Sequence, residues 1–229
     1  MDYKDLLGLL KSRRSIRAFT DRPVAEDTVD KIIEAAHWAP SGANSQPWEF
    51  IVIRDQATKD QMAEWARQQM EIVRGAELAR PEELRWPAAT RPVSDPPFTK
   101  APVLILVVGD PRVNKSFPAM TYAERQEKTF MSGLANAFLY MALAANSLGL
   151  GCHWASIVSS PYVSAMINNL LDIPDGYVIY DMLVLGYPAM EAKPRAVRDR
   201  EDLVHHEKYD KSKYRSDEQV RDWVISLRK

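Results

Sequence analysis

The chain has 229 residues, enough for one α/β domain in which roughly 70% of the unfolded surface is buried, with no need of a disulfide or metal staple. Thirty basic residues balance thirty-one acidic ones, so no long-range field draws in nucleic acid or an anionic membrane. The single cysteine, Cys152, allows no internal disulfide and fits a reducing compartment. The charged start and the lack of a run near the ~20 apolar residues of a membrane span point to a cytoplasmic protein with no membrane partner.

In chain order, Leu6, Leu7, Leu9 and Leu10 predict a short amphipathic helix over 3–13. Val29, Ile32, Ile33 and Ala36 predict a second from about Glu26 to Trp38, stopped by Pro40. Trp48 to Arg54 is aromatic and β-branched and reads as a strand; 56–73 reads as a polar helix. Residues 74–100 hold Pro81, Pro87, Pro92, Pro96 and Pro97, which argue against a continuous helix or a central strand and for a lid, a binding loop or a disordered stretch. Pro102 to Gly109 is apolar throughout, as in a strand covered on both faces.

Thr121 and Glu124 have capping-box spacing and predict the start of the next helix. From Phe130 to Leu148 that helix is apolar almost all round and is expected in the core or in a subunit interface, with Gly149 and Gly151 ending it. Cys152 to Ile157 reads as a short strand or turn. Ser160-Pro161 reads as an N-cap with proline at the first helical position, opening a helix to about Leu171. Tyr177 to Tyr187 reads as a buried strand. An irregular polar tail follows, closed by a helix with a capping box at Ser216 and Gln219. Its stripe of Val220, Trp223, Val224 and Leu227 is expected to find cover on a partner subunit. The pattern is α+β or α/β.

Three segments carry candidate chemistry. Arg13-Arg14-Ser15-Ile16-Arg17 sets three guanidiniums and a hydroxyl where they can hold a phosphate, or it is a solvated helix end. Ala39-Pro40-Ser41-Gly42-Ala43-Asn44-Ser45-Gln46-Pro47-Trp48 is a polar loop that joins a helix to a strand. Gly42 permits unusual backbone angles, and the Asn44 and Gln46 amides suit a ring edge that alternates donors and acceptors; the other reading is an ordinary turn. Gly149 to Ile157 combines small residues, which allow close approach of a flat ligand, with His153 and Trp154, either of which could stack on one; the other reading is a helix stop and a buried strand. No phosphate-binding glycine motif and no histidine spacing suited to a metal stands beside them, so no metal site is assigned.

Taken in order, R-R-S-x-R, then A-P-S-G-A-N-x-Q-P-W, then a long apolar helix running into G-L-G, then L-G-Y-P followed by basic residues, the chain resembles the nitroreductase family. The resemblance covers all but 74–100 and the last fifteen residues. It implies a single three-layer α+β domain over 1–229, a mainly antiparallel sheet flanked by helices, and an intertwined homodimer binding FMN at the subunit interface. A lid at 74–100 and a dimer-embracing extension over about 190–229 would complete it. It implies that Arg13, Arg14 and Ser15 meet the phosphate, ribityl chain and pyrimidine edge, supported by Arg17. Pro40, Ser41, Gly42 and Asn44 would reach the flavin from the partner. Trp154, Ala155, Ser156 and Ile157 would run along the ring near N5, with Ser156 a possible N5 contact, and Arg198 would return to the phosphate ahead of Arg195. Arg85, Trp86 and Arg91 in the lid, with His153, would meet the acceptor. The implied activity is ping-pong transfer of electrons from NAD(P)H through FMN to a nitroaromatic or quinone. The alternatives are reductive dehalogenation of an aromatic and non-enzymatic FMN binding.

Overall fold

A computed structural model describes residues 2–87, 89–192 and 195–227. Two units are distinguished, one comprising residues 2–69 and 94–192, the other residues 70–93 and 195–227.

The first unit is built on a four-stranded antiparallel sheet of order β1-β2-β4-β3, with β1 at Trp48–Ile53, β2 at Val103–Gly109, β3 at Gly151–Ala155 and β4 at Val178–Gly186. The unbroken apolarity of β2 has a direct cause: it is a central strand buried at every position. Val103, Ile105 and Val107 enter one core; Leu104, Leu106 and Val108 enter the other. The first core is filled from α2 (Glu26–His37) and α4 (Ala119–Ser147), the second from α3 (Gln56–Leu78) and α5 (Pro161–Leu170). The result is helices, sheet, helices: the three-layer α+β fold expected.

Several local expectations need correction. Thr121 and Glu124 do not open α4. Pro118, whose ring fixes a negative φ, is the N-cap, and Thr121 already lies in the first turn. Ser160 precedes α5 as expected, yet its hydroxyl donates back to the Ile157 carbonyl instead of capping the helix. Residues 74–78, expected in a loop, continue α3, because the prolines begin only at Pro81. At the other end of the same segment Phe98 is buried in the second core. A β-bulge in β4 escaped notice: Val107 pairs with Asp181 and Val108 with Ile179. Asp181 faces the α4 side in phase with Leu183 and Leu185, and the extra residue, Tyr180, is brought to the same side.

In the second unit, Glu77 at the end of α3 pairs with Arg80 and accepts the Trp86 backbone N–H. Arg74 donates to the Thr90 carbonyl. The last helix, α6 (Asp217–Ser226), opens with the expected reciprocal cap of Ser216 and Gln219, and its Val220, Val224 and Leu227 are exposed. Among the described residues no helix is long and apolar enough to cross a membrane.

Candidate functional site

The N-terminal arginine segment is stitched to the β3 edge. Ile16 N–H donates to the Cys152 carbonyl at 2.9 Å, Thr20 N–H to Tyr187 at 2.9 Å, and Ala189 N–H returns to Ala18 at 2.9 Å. Ser15 forms a parallel bridge with Cys152. Two glycines paired across β3 and β4, Gly151 and Gly186, make this possible. A Cβ on Gly151 would stand 2.8 Å from Ile16 Cβ; one on Gly186 would stand 2.8 Å from the Phe19 ring. Gly151 was expected to admit a flat ligand. It admits Ile16 of its own chain.

Extended backbone alternates its side chains, so Arg13, Ser15 and Arg17 share a face while Ile16 is driven inward. Arg14 departs from the expected phosphate set: its guanidinium donates to the Lys11 carbonyl and, at 2.8 Å, to that of Arg13, satisfying the open end of α1 (Tyr3–Ser12). It also borders a cavity of about 200 Å³ with Ser12, Asn146 and Met190. Arg17 borders another, of about 410 Å³, with Phe19, Ser94, Pro96 and Lys100. Among the described residues no carboxylate pairs with Arg13 or Arg17.

β3 directs its side chains to opposite sides. His153 is 4% exposed; its Nδ1 lies 2.8 Å from the Ile16 carbonyl and its ring stacks on Phe19. Burial pushes the imidazole down to about 4, so it is neutral near pH 7. The expectation that His153 meets a ligand therefore gives way to a structural role: it secures the arginine segment. Cys152 beside it is buried too, and burial pushes its thiol up to about 11. Trp154 faces α4, where its ring stacks on Phe138 at 3.9 Å and lies 5.9 Å from Tyr180. Its indole N–H donates to Asp181. Ala155 is buried and Ser156 exposed, at the start of a 3-10 turn, Ser156–Ser159, that also holds Ile157.

Sequence reasoning passed over Asp181, Phe138 and Tyr180. The signal was present for Asp181: one carboxylate in an otherwise apolar strand. It is 8% exposed, and burial raises its carboxyl above the ordinary carboxylate range, outweighing its hydrogen-bonding contacts with Trp154 and Ser159.

The loop before β1 is held differently. Ala43, Asn44 and Gln46 all have positive φ, of 53°, 51° and 43°, a conformation that asparagine adopts readily and that costs roughly 1–2 kcal/mol at Ala43 and at Gln46. Gly42 does not carry the unusual angles expected of it. Its glycine is required because a Cβ there would stand 2.0 Å from Thr129 Cγ2 of α4. Asn136 of α4 donates to the Pro40 carbonyl at 2.9 Å, and Ser41 Oγ accepts the Gln46 N–H at 2.9 Å. Pro40, Ala43, Asn44 and Gln46 are exposed.

The structure thus joins the arginine segment to β3 and leaves the loop before β1 apart. The loop leads into β1, at the opposite edge of the sheet from β3. Three strand spacings separate those edges, about 14 Å. Arg85, Trp86, Arg91 and Arg198 belong to the second unit. Arg85 Nε donates to the Arg80 carbonyl at 3.0 Å, Trp86 is 43% exposed, and Arg198 lines a cavity of about 430 Å³ with Tyr209, Lys213 and Arg215.

Known proteins are similar to this chain in sequence or in fold. A protein of Methanothermobacter thermautotrophicus, provisionally named NADH dehydrogenase/NAD(P)H nitroreductase, is 31% identical over 90% of this chain and 88% of its own length. An iodotyrosine deiodinase of Drosophila melanogaster is 28% identical over 81% of this chain and 63% of its own. A provisionally named nitroreductase of Desulfovibrio desulfuricans, solved in complex with FMN, superposes with a TM-score of 0.64 at 26% identity, covering 90% of this chain and 98% of its own. The match to the Nitroreductase family spans residues 10–187, well over half of the chain, and the chain belongs to that family.

Proposed function

We propose that this protein is an FMN-dependent oxidoreductase, working as a cytoplasmic homodimer, that carries electrons from NAD(P)H to an electron-poor acceptor such as a nitroaromatic or quinone. The observation that carries the reading is the β3 edge: two guanidiniums without a carboxylate partner among the described residues flank a hydroxyl on one face of a braced segment. That donor set fits a phosphate monoester and the polar end of a flavin, since guanidinium forks match phosphate oxygens. Related proteins support the cofactor, one of them having been solved with FMN.

In this reading Arg13, Ser15 and Arg17 hold the phosphate and pyrimidine end, and Arg14 contributes indirectly by fixing the end of α1. Their positive charge favours the more negative, reduced state of the bound ring. Ala155, Ser156 and Ile157 form the floor at the reacting edge. Trp154, held against Phe138, walls that floor from α4. FMN would supply the redox chemistry; the chain supplies binding, orientation and electrostatics. Pro40, Ser41, Gly42 and Asn44, at the far edge of the sheet, complete the site from a second copy of the chain. That separation is what supports a homodimer. Arg198 for the phosphate, and Arg85, Trp86 and Arg91 for the acceptor, remain part of the proposal.

Purified protein should be yellow. It should bleach within seconds under anaerobic NADH or NADPH and recover its colour with a nitroaromatic or quinone. Colourless protein that rejects added FMN would overturn the proposal. The deiodinase relative makes released halide the product to look for beside amine or hydroxylamine, and its appearance as the faster product would favour reductive dehalogenation.

A further inference from the structure

Asp181 sits on the bulge of β4, beneath the turn assigned to the reacting edge. Three contacts converge on that turn. The Trp154 indole N–H reaches Asp181 Oδ2, Ser159 Oγ lies 3.0 Å from Asp181 Oδ1, and Ser159 Oγ lies 2.8 Å from the Ser156 carbonyl oxygen.

A proton count, taken with the burial of Asp181, points to what these contacts are. A serine hydroxyl has one proton and a carbonyl oxygen can only accept. The shorter contact commits the Ser159 proton to Ser156. One proton shared between the two acceptors would leave a buried carboxylate held only by half of a hydroxyl proton and the indole, which its uncharged surroundings disfavour. The bond between Ser159 and Asp181 then needs a proton from the carboxyl. The chain closes as Asp181 O–H to Ser159 Oγ, and Ser159 O–H to the Ser156 carbonyl. The other carboxyl oxygen, Oδ2, is left to accept the indole.

The surroundings agree. β2 and α5 contain no charged residue, and neither does the Ser156–Ser159 turn. On β3 the one titratable side chain besides Cys152 is His153, which lies on the opposite face beside Ile16. On β4 itself Tyr180 is a neutral phenol near neutral pH. The charged residue of α4 nearest in sequence to Phe138 is Lys128, ten positions away, about 15 Å along the axis. A carboxylate at 181 would be a buried anion with no cation from any of these elements, an arrangement proteins avoid by keeping the proton.

We propose that Asp181 is a positioning residue that works as a neutral carboxylic acid, donating through Ser159 to the Ser156 carbonyl while holding the Trp154 indole, and so fixes the turn at the reacting edge. The link to the reacting edge rests on the flavin site proposed above. The protonation state does not.

Two measurements test it. The infrared spectrum of wild-type protein minus that of Asp181→Asn, at neutral pH, should show a protonated-carboxyl stretch. A carboxylate band in its place would overturn the proposal whether or not FMN binds. Affinity for FMN, read from flavin fluorescence, is the second. Asp181→Asn keeps a donor and an acceptor in the same place and should bind within about threefold of wild type, whereas Asp181→Leu should bind at least about tenfold more weakly. If the leucine variant does not fold, Ser159→Ala breaks the middle of the chain and should weaken binding about fivefold or more. Asparagine as damaging as leucine, or Ser159→Ala without effect, would overturn the positioning role. Wild-type protein that binds no FMN would refute the flavin site and the link to it together, and leave the infrared result standing alone.

Discussion

The arginine segment and the loop before β1 are both short polar stretches beside a strand, and the chain treats them in opposite ways. The first is stitched down. Backbone bonds tie it to β3 and to the chain after β4, His153 braces it from below, and Gly151 makes room for Ile16. The second is pinned at its ends by Asn136 and Ser41 and held in a strained arch with its amides outward. A segment satisfied within its own chain is preorganised for a ligand that comes to it. A strained, exposed segment at the far edge gains most when something outside the chain completes it, which is the role a second subunit would fill.

The largest expected effect lies under the stitched segment. His153 has its imidazole pushed down from 6.5 to about 4. The unfolded chain therefore binds the proton more readily. The stabilisation is present above pH 6.5 and lost as the pH falls toward 4, with an upper bound of about 3 kcal/mol. Denaturant unfolding at pH 7 and pH 4 should show the loss in wild type and much less of it in His153→Gln. Equal slopes for the two proteins would remove His153 from the brace.

Next comes Gly151→Ala. Its Cβ meets Ile16 near the backbone, where no rotamer gives relief, so the segment must lift from β3. A loss of about 1–3 kcal/mol is expected, with faster hydrogen exchange at the Ile16 amide. Unchanged exchange would show that the stitching survives without the glycine.

Ala43→Gly sharpens the comparison from the other side. Relieving one positive φ should raise stability by up to about 1 kcal/mol, the gain being limited by the greater freedom of glycine in the unfolded chain. Weaker FMN binding should accompany it, because a relaxed arch is less preorganised. A drop in the melting temperature would mean that the arch is not strained.

The smallest effect is at Cys152. Its thiol, buried and pushed up to about 11, should not react with a thiol reagent in native protein at pH 8, and should react fully once unfolded. Rapid native labelling would mean that the β3 edge opens.

Much of this was legible in the chain itself. The periodicity of Val29, Ile32 and Ala36 marked α2, and the unbroken run of Val103–Gly109 announced a strand with a layer on either side, because apolar spacing reports burial directly. The motifs around Arg13, Ser41 and Trp154 marked the family. Tertiary structure alone decided what each residue does within those motifs. It turned Arg14 back to cap α1, buried His153 as a brace, and gave Gly42 and Gly151 their reasons in Thr129 and Ile16, contacts between segments remote in sequence. It also set Tyr180 beside Asp181 on one face through a bulge, which breaks the two-residue period of the strand and so hides from any reading of alternation. Local spacing encodes which face is apolar. Which polar group meets which depends on how distant segments close on one another, and only the folded chain brings them together.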